Sequence, residues 1–88
     1  MSKISVVKKL YADGGIVDCD EKMTLAEAQA FVGGWIEYVA STSGEYSLIV
    51  NEEGAIRNLA ENLAATAAVN PGVLMVDSIR GDALLVKV

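Results

Sequence analysis

The sequence has no histidine, and it has only one cysteine, one proline, one tryptophan and one phenylalanine. Without histidine the commonest general base is missing, the usual Ser or Cys triads are excluded, and most zinc sites lose a ligand. Carboxylate and lysine chemistries survive, so catalysis is disfavoured but not eliminated. The lone Cys19 closes no internal disulfide, and its neighbours Asp18 and Asp20 raise a thiol pKa, so an inert thiol is expected. With no disulfide framework and no charged N-terminal segment leading into an apolar run, the expected setting is a reducing cytoplasm. Apolar runs fall far short of the roughly 20 residues that cross a bilayer, so no membrane span is expected.

Positive charge is also scarce. Seven Lys and Arg stand against 12 Asp and Glu, giving a formal charge of −5 and a pI near 4.5. That is the wrong sign for a surface that grips phosphates, so direct nucleic-acid binding is not expected. The acids are scattered, clustering only at Asp18, Asp20 and Glu21 and at Glu52 and Glu53, which does not make an extended mimic of DNA.

What the chain does have is apolar content. Hydrophobic residues make up 52% of 88 residues, 12 of them alanine. A 9.3 kDa chain is one domain, residues 1–88, with a high ratio of surface to volume. It struggles to hide that much apolar surface in one protomer. A homo-oligomer or an apolar docking face is therefore expected.

Along the chain, residues 4–12 are rich in β-branched and aromatic types, and Asp13-Gly14-Gly15 is a turn signal. Ile16 and Val17 begin a short second extended piece that runs out in the charged residues 18–22. Thr24 followed by Glu27 is a capping box, Leu25, Ala28 and Val32 lie at helical spacing, and Gly33-Gly34 stops the helix, which spans 25–32. Residues 35–40, a polar turn at 41–44 and residues 46–50 make the clearest β-hairpin. Residues 51–54 form a turn, and Ala55 and Ile56 resume a brief extended segment. Asn62 caps a second helix over 63–69, which Asn70-Pro71-Gly72 ends. Residues 73–76 are extended, Gly81-Asp82 turns, and residues 83–88 form a final strand apolar enough to be buried on both faces. These elements predict an α+β single compact domain, an antiparallel or mixed sheet of about five strands with two short helices.

No motif here carries chemistry. The glycine pairs lack a phosphate-loop pattern, and Asp18, Asp20 and Glu21 lack the spacing and central glycine of a calcium loop. Arg80-Gly81-Asp82 spells an adhesion tripeptide at a place where a strand must be entered through a tight turn. No metal site and no cofactor are expected. Trp35, Tyr38 and Tyr46 gather on the hairpin. Core packing is the better reading for Trp35, beside the glycines, whereas Tyr38 and Tyr46 near the turn are candidates for a surface patch.

Four blocks taken together are distinctive: Val32-Gly33-Gly34-Trp35-Ile36-Glu37; Leu48-Ile49-Val50-Asn51-Glu52-Glu53-Gly54; Asn62 with Ala65-Thr66; and Ile79 with Gly81-Asp82-Ala83-Leu84-Leu85-Val86. In this order they resemble a family of small phage- and plasmid-borne proteins known only as a domain of unknown function. The resemblance implies a mobile-element origin and a host-cytoplasm setting, and it supplies no activity, substrate or catalytic residue. Most of the shared residues are turn glycines, caps and strand cores. Glu37, Asn51, Glu52 and Glu53 are polar members that a fold does not obviously need. With Tyr38 and Tyr46 they form the candidate binding site. The expected function is a small non-catalytic accessory protein acting by binding, either to a host protein or by sequestering a small ligand in a homo-oligomer. The alternatives are a structural or assembly component of a phage particle and, behind it, a metal-dependent enzyme using carboxylates such as Glu37, Glu52 and Glu53.

Overall fold

The structure, a computed structural model, describes residues 3–54, 56–69 and 78–87. Among these residues the elements run β1 (Ile4–Leu10), β2 (Ile16–Met23), α1 (Leu25–Val32), β3 (Ile36–Ala40), β4 (Tyr46–Asn51), α2 (Leu63–Ala68) and β5 (Ala83–Lys87). The sheet order is β2-β1-β5-β4-β3, with every pairing antiparallel. The C-terminal strand is thus the central one, which accounts for its apolar sequence: Ala83, Leu84 and Val86 are buried. Helices of eight and six residues are minor partners of five strands, so the α+β expectation is corrected to a β-rich fold. A radius of gyration of 11.6 Å matches the roughly 12 Å of a compact single domain of this length.

The sheet carries a core on each face. On one side Val6, Met23, Ile49, Leu84 and Val86 pack with Ala28 and Val32 of α1. On the other, Leu10, Leu48, Val50 and Ala83 pack with Ala65 of α2, Val69 and Ile79. Strict alternation would put Val6 and Leu10 on the same face. The register of β1 shifts between Val6 and Lys8 against both of its neighbours, and this change of phase lets one strand feed both cores.

The local signals account for most of the elements. Thr24 Oγ1 accepts from Glu27 N (3.1 Å) and Glu27 Oε1 from Thr24 N (2.8 Å), closing the capping box, and Gly33 ends α1 at φ +85°. In the first hairpin Gly14 takes φ +101° while Asp13 Oδ1 accepts from Gly15 N at 2.8 Å. Ser41 closes the second hairpin, its hydroxyl lying within hydrogen-bond distance of Ser43 O (2.6 Å) and Tyr46 O (2.8 Å), to either of which it can donate.

Two sequence expectations need correction. The second extended piece does not run out in residues 18–22 but continues through them to Met23. As an edge strand it exposes its charges, and β1 supplies them with partners: Lys8 to Asp18 and Lys9 to Glu21, each at 3.2 Å, and Ser5 to Lys22 at 2.6 Å. Ile56 is not extended. It is exposed in a turn closed by Arg57 N to Glu53 O (2.8 Å) and Leu59 N to Gly54 O (3.0 Å). The expectations for Ala55, for the stop at 70–72, for the extended residues 73–76 and for Val88 lie outside the described residues.

Candidate functional site

The hairpin ends and the helix stops meet at one end of α1. Gly33 releases the chain from the helix, and Trp35 O then accepts from Glu52 N at 2.9 Å, so the entry to β3 is stitched to the exit of β4. Asn51 is buried here. Its Nδ2 donates to Val32 O at 3.0 Å, and its Oδ1 accepts from Glu53 N at 2.7 Å. The fold therefore uses Asn51 after all, to bind the last turn of α1 to the turn after β4. Arg57 Nη1 donates to Gly33 O at 2.8 Å and satisfies another free carbonyl of the helix end.

Three of the six candidate residues come together. Glu37, Asn51 and Glu52 line a recess of about 120 Å³ with Ser78 and Arg80. The Ser78 hydroxyl is buried there with no hydrogen-bond partner among the described residues. Arg80 is held on the far side, Nη1 donating to Leu59 O at 3.1 Å with Glu61 at 3.9 Å. Glu53 stands next door, lining a hollow of about 320 Å³ with Gln29, Gly34 and Trp35.

The tyrosines do not join them. Tyr38 pairs with Ile49, which faces α1, whereas Tyr46 pairs with Lys87 and shares its face with Leu48 on the α2 side. They lie on opposite faces, so the expected tyrosine patch is split. Trp35 also departs from expectation: it is 67% exposed instead of packed in the core. The places in the α1-side core are taken by Val32, Phe31 and Ile36, and Trp35 lies at the rim before β3 begins.

Among the described residues no three Cys, Asp or Glu side chains converge as a metal site would require. Cys19 lies elsewhere, against the α1-side core. Burial first, and then the charge of Glu21, pushes its thiol pKa above the ordinary value, the opposite of an activated nucleophile. The sequence flagged Glu37, Glu52 and Glu53, but it missed Trp35, Arg57 and Ser78. Nothing local marks either Ser78 or Arg57, whose guanidinium acts on a carbonyl 24 residues away.

The class defined by these observations is a small β-rich domain, its antiparallel sheet backed by short helices, with an acidic and aromatic rim at one end. A family model for a domain of unknown function, DUF3846, matches residues 7–88, and the chain belongs to that family. No curated protein and no solved structure matches it. No helix among the described residues is long and apolar enough to cross a membrane.

Proposed function

We propose that this chain is a small non-catalytic accessory protein of phage or plasmid type that acts by binding in a host cytoplasm. The surface it uses is the rim of Trp35, Glu37, Glu52 and Glu53, and its partner is a host protein with a basic patch. One observation carries this reading. Trp35 is 67% exposed, and none of the three exposed carboxylates has an ion-pair or hydrogen-bond partner among the described residues. Of the three, Glu53 stands by the C-terminal end of α1, where the helix dipole makes negative charge unfavourable, while Glu37 and Glu52 line the neighbouring recess. The fold gains nothing from them there. A lysine or arginine would meet both the carboxylates and the face of an indole.

Exposed Ile16, Val17, Leu25 and Leu63 support homo-oligomer formation as part of the same proposal. A structural part in a particle would need that self-association but no unpartnered acidic rim, so binding is the better-supported reading. Native mass spectrometry of the protein recovered gently from a bacterial lysate is the test. The expected result is a hetero-complex that is lost when Trp35→Ala is combined with Glu52→Lys and kept in Tyr46→Ala. A bare chain, or a complex indifferent to the first pair of changes, overturns the proposal. A multiple of 9.3 kDa carrying only a small extra mass overturns the basic-partner reading in favour of ligand sequestration.

A further inference from the structure

At the opposite end of α1, a second hollow has the reverse electrostatic character. It is an open groove of about 590 Å³ with Ile4, Leu25, Tyr38 and Val86 among its lining residues, together with Lys3 and Lys87. That volume lies in the usual range for small-molecule sites. Leu25 and Tyr38, each about half exposed (49% and 57%), offer apolar surface that the fold leaves uncovered among the described residues.

The cations single this groove out. The chain has seven. Lys8 and Lys9 are paired with Asp18 and Glu21, Lys22 with Ser5, Arg57 with Gly33 O, and Arg80 with Leu59 O and Glu61. The remaining two, Lys3 and Lys87, have no partner among the described residues, and both line this groove. In a chain of net charge −5, gathering the two uncommitted cations beside one apolar hollow is a specific arrangement. The nearby Glu27 carboxylate feels Lys3 but makes no ion pair with it, its Oε1 accepting from Thr24 N at 2.8 Å instead. Lys87, the register partner of Tyr46, leaves β5 on the α2-side face, opposite to Val86, and it lines the groove from the end of the strand, where a four-carbon stem reaches round the edge along apolar surface and leaves the ammonium free. Leu25 opens α1, so the positive end of the helix dipole lies at the same lip.

We propose that this groove is a binding site for a small free carboxylate with an apolar body, the carboxylate held by Lys3 and Lys87 and the body lying on Ile4, Leu25, Tyr38 and Val86. This goes beyond the proposed acidic rim and does not depend on it. The rim selects cations, whereas the groove selects amphipathic anions.

The test is a titration of the ¹⁵N-labelled full chain with octanoate, followed by amide chemical shifts. Acetate supplies the head without the tail, and octylamine the tail with the opposite charge. The expected result is saturable shifts at Ile4, Leu25, Tyr38 and Val86 with octanoate, with both controls binding at least about tenfold more weakly: octylamine because it loses two exposed charge contacts, and acetate because it loses the buried methylenes at about 0.8 kcal/mol each. Lys3→Glu with Lys87→Glu should weaken octanoate by a similar factor. Lys3→Gln with Lys87→Gln serves if the charge-reversed chain does not give a native spectrum. Octylamine binding as tightly as octanoate, shifts mapping elsewhere, or no saturation would each overturn the proposal.

Discussion

Replacing Asn62 should do more damage than any other change of a polar residue, and the structure says by how much. Asn62 is fully buried between α2, β1 and the turn into β5. Its Oδ1 accepts from Ala65 N at 3.0 Å, capping α2, while its Nδ2 donates to Leu10 O at 2.8 Å and Gly81 O at 2.9 Å. Asn62→Ala removes a cap, about 1 kcal/mol, and strips partners from buried carbonyls at about 1 kcal/mol or more each, for a total of about 3 kcal/mol. A chain of this length has a stability of about 4–13 kcal/mol, so the change takes a large share of it. At about 4–8 °C per kcal/mol, Tm should fall by about 12–24 °C. The assay is urea and thermal unfolding followed by far-ultraviolet circular dichroism, because Trp35 is exposed already and reports unfolding poorly. Asn62→Asp separates the two roles. It keeps the capping acceptor but turns a carboxylate toward two carbonyl oxygens, so at pH 7 it should be worse than Ala. That carboxyl group would have a raised pKa in the folded chain, and the excess penalty should ease as pH falls toward about 4, where a protonated oxygen donates again. A loss under about 1 kcal/mol for Asn62→Ala, or an Asp variant as stable as the native chain at pH 7, would refute the reasoning.

Gly81→Ala should lower the unfolding free energy by about 1–3 kcal/mol, since the residue sits at φ +87° and a Cβ would come within 2.9 Å of Leu59 Cδ1; an unchanged urea midpoint would refute this. Glu27 is held below the ordinary 4.5 by its hydrogen bonds to Thr24, so its contribution is present above that value and lost as pH falls through the lower folded pKa. Glu27→Gln should therefore unfold earlier than the native chain at pH 7, with the difference shrinking below pH 4.5; a gap independent of pH would contradict the capping role. Glu52→Gln with Glu53→Gln should leave stability unchanged or raise it by a few tenths of a kcal/mol while weakening the complex with a basic partner, and a clear loss of stability in calorimetry would make these residues structural.

The parts of the fold that were legible in the sequence are those whose causes lie within a few residues. Thr24, Glu27 and Gly33 specify α1 from end to end because a capping box and a left-handed terminator act across a single turn. Charges suggest a loop, so the sequence lets the second strand run out in residues 18–22, yet on an edge strand the same charges face water and pair across to β1. Asn62 was legible as a cap and not as a latch, since Leu10 and Gly81 are 52 and 19 residues away. For the candidate site, Glu37, Asn51 and Glu52 could be anticipated together because hairpin register brings both strand ends to one place. The split of Tyr38 from Tyr46 was also within reach of that register. Ile49 is the partner of Tyr38, and the odd step from Ile49 back to Tyr46 turns that side chain to the other face.

The two ends of α1 show why function in so small a fold belongs at its rims. Both faces of the sheet are spent on cores, and the shift of phase in β1 exists to serve them both. What remains free is the perimeter. There the charges do not follow what stability favours alone: cations near the start of α1 and acids near its end are each opposite to the arrangement the helix dipole favours. The fold mends only part of this, with Glu27 at the start and Arg57 at the end. Lys3 and Lys87 at one end, and Glu37, Glu52 and Glu53 at the other, are left with no partner among the described residues. Charges placed against the dipole and left unpaired are poor candidates for holding the domain together, and that is the physical reason for looking to these two rims for what it binds.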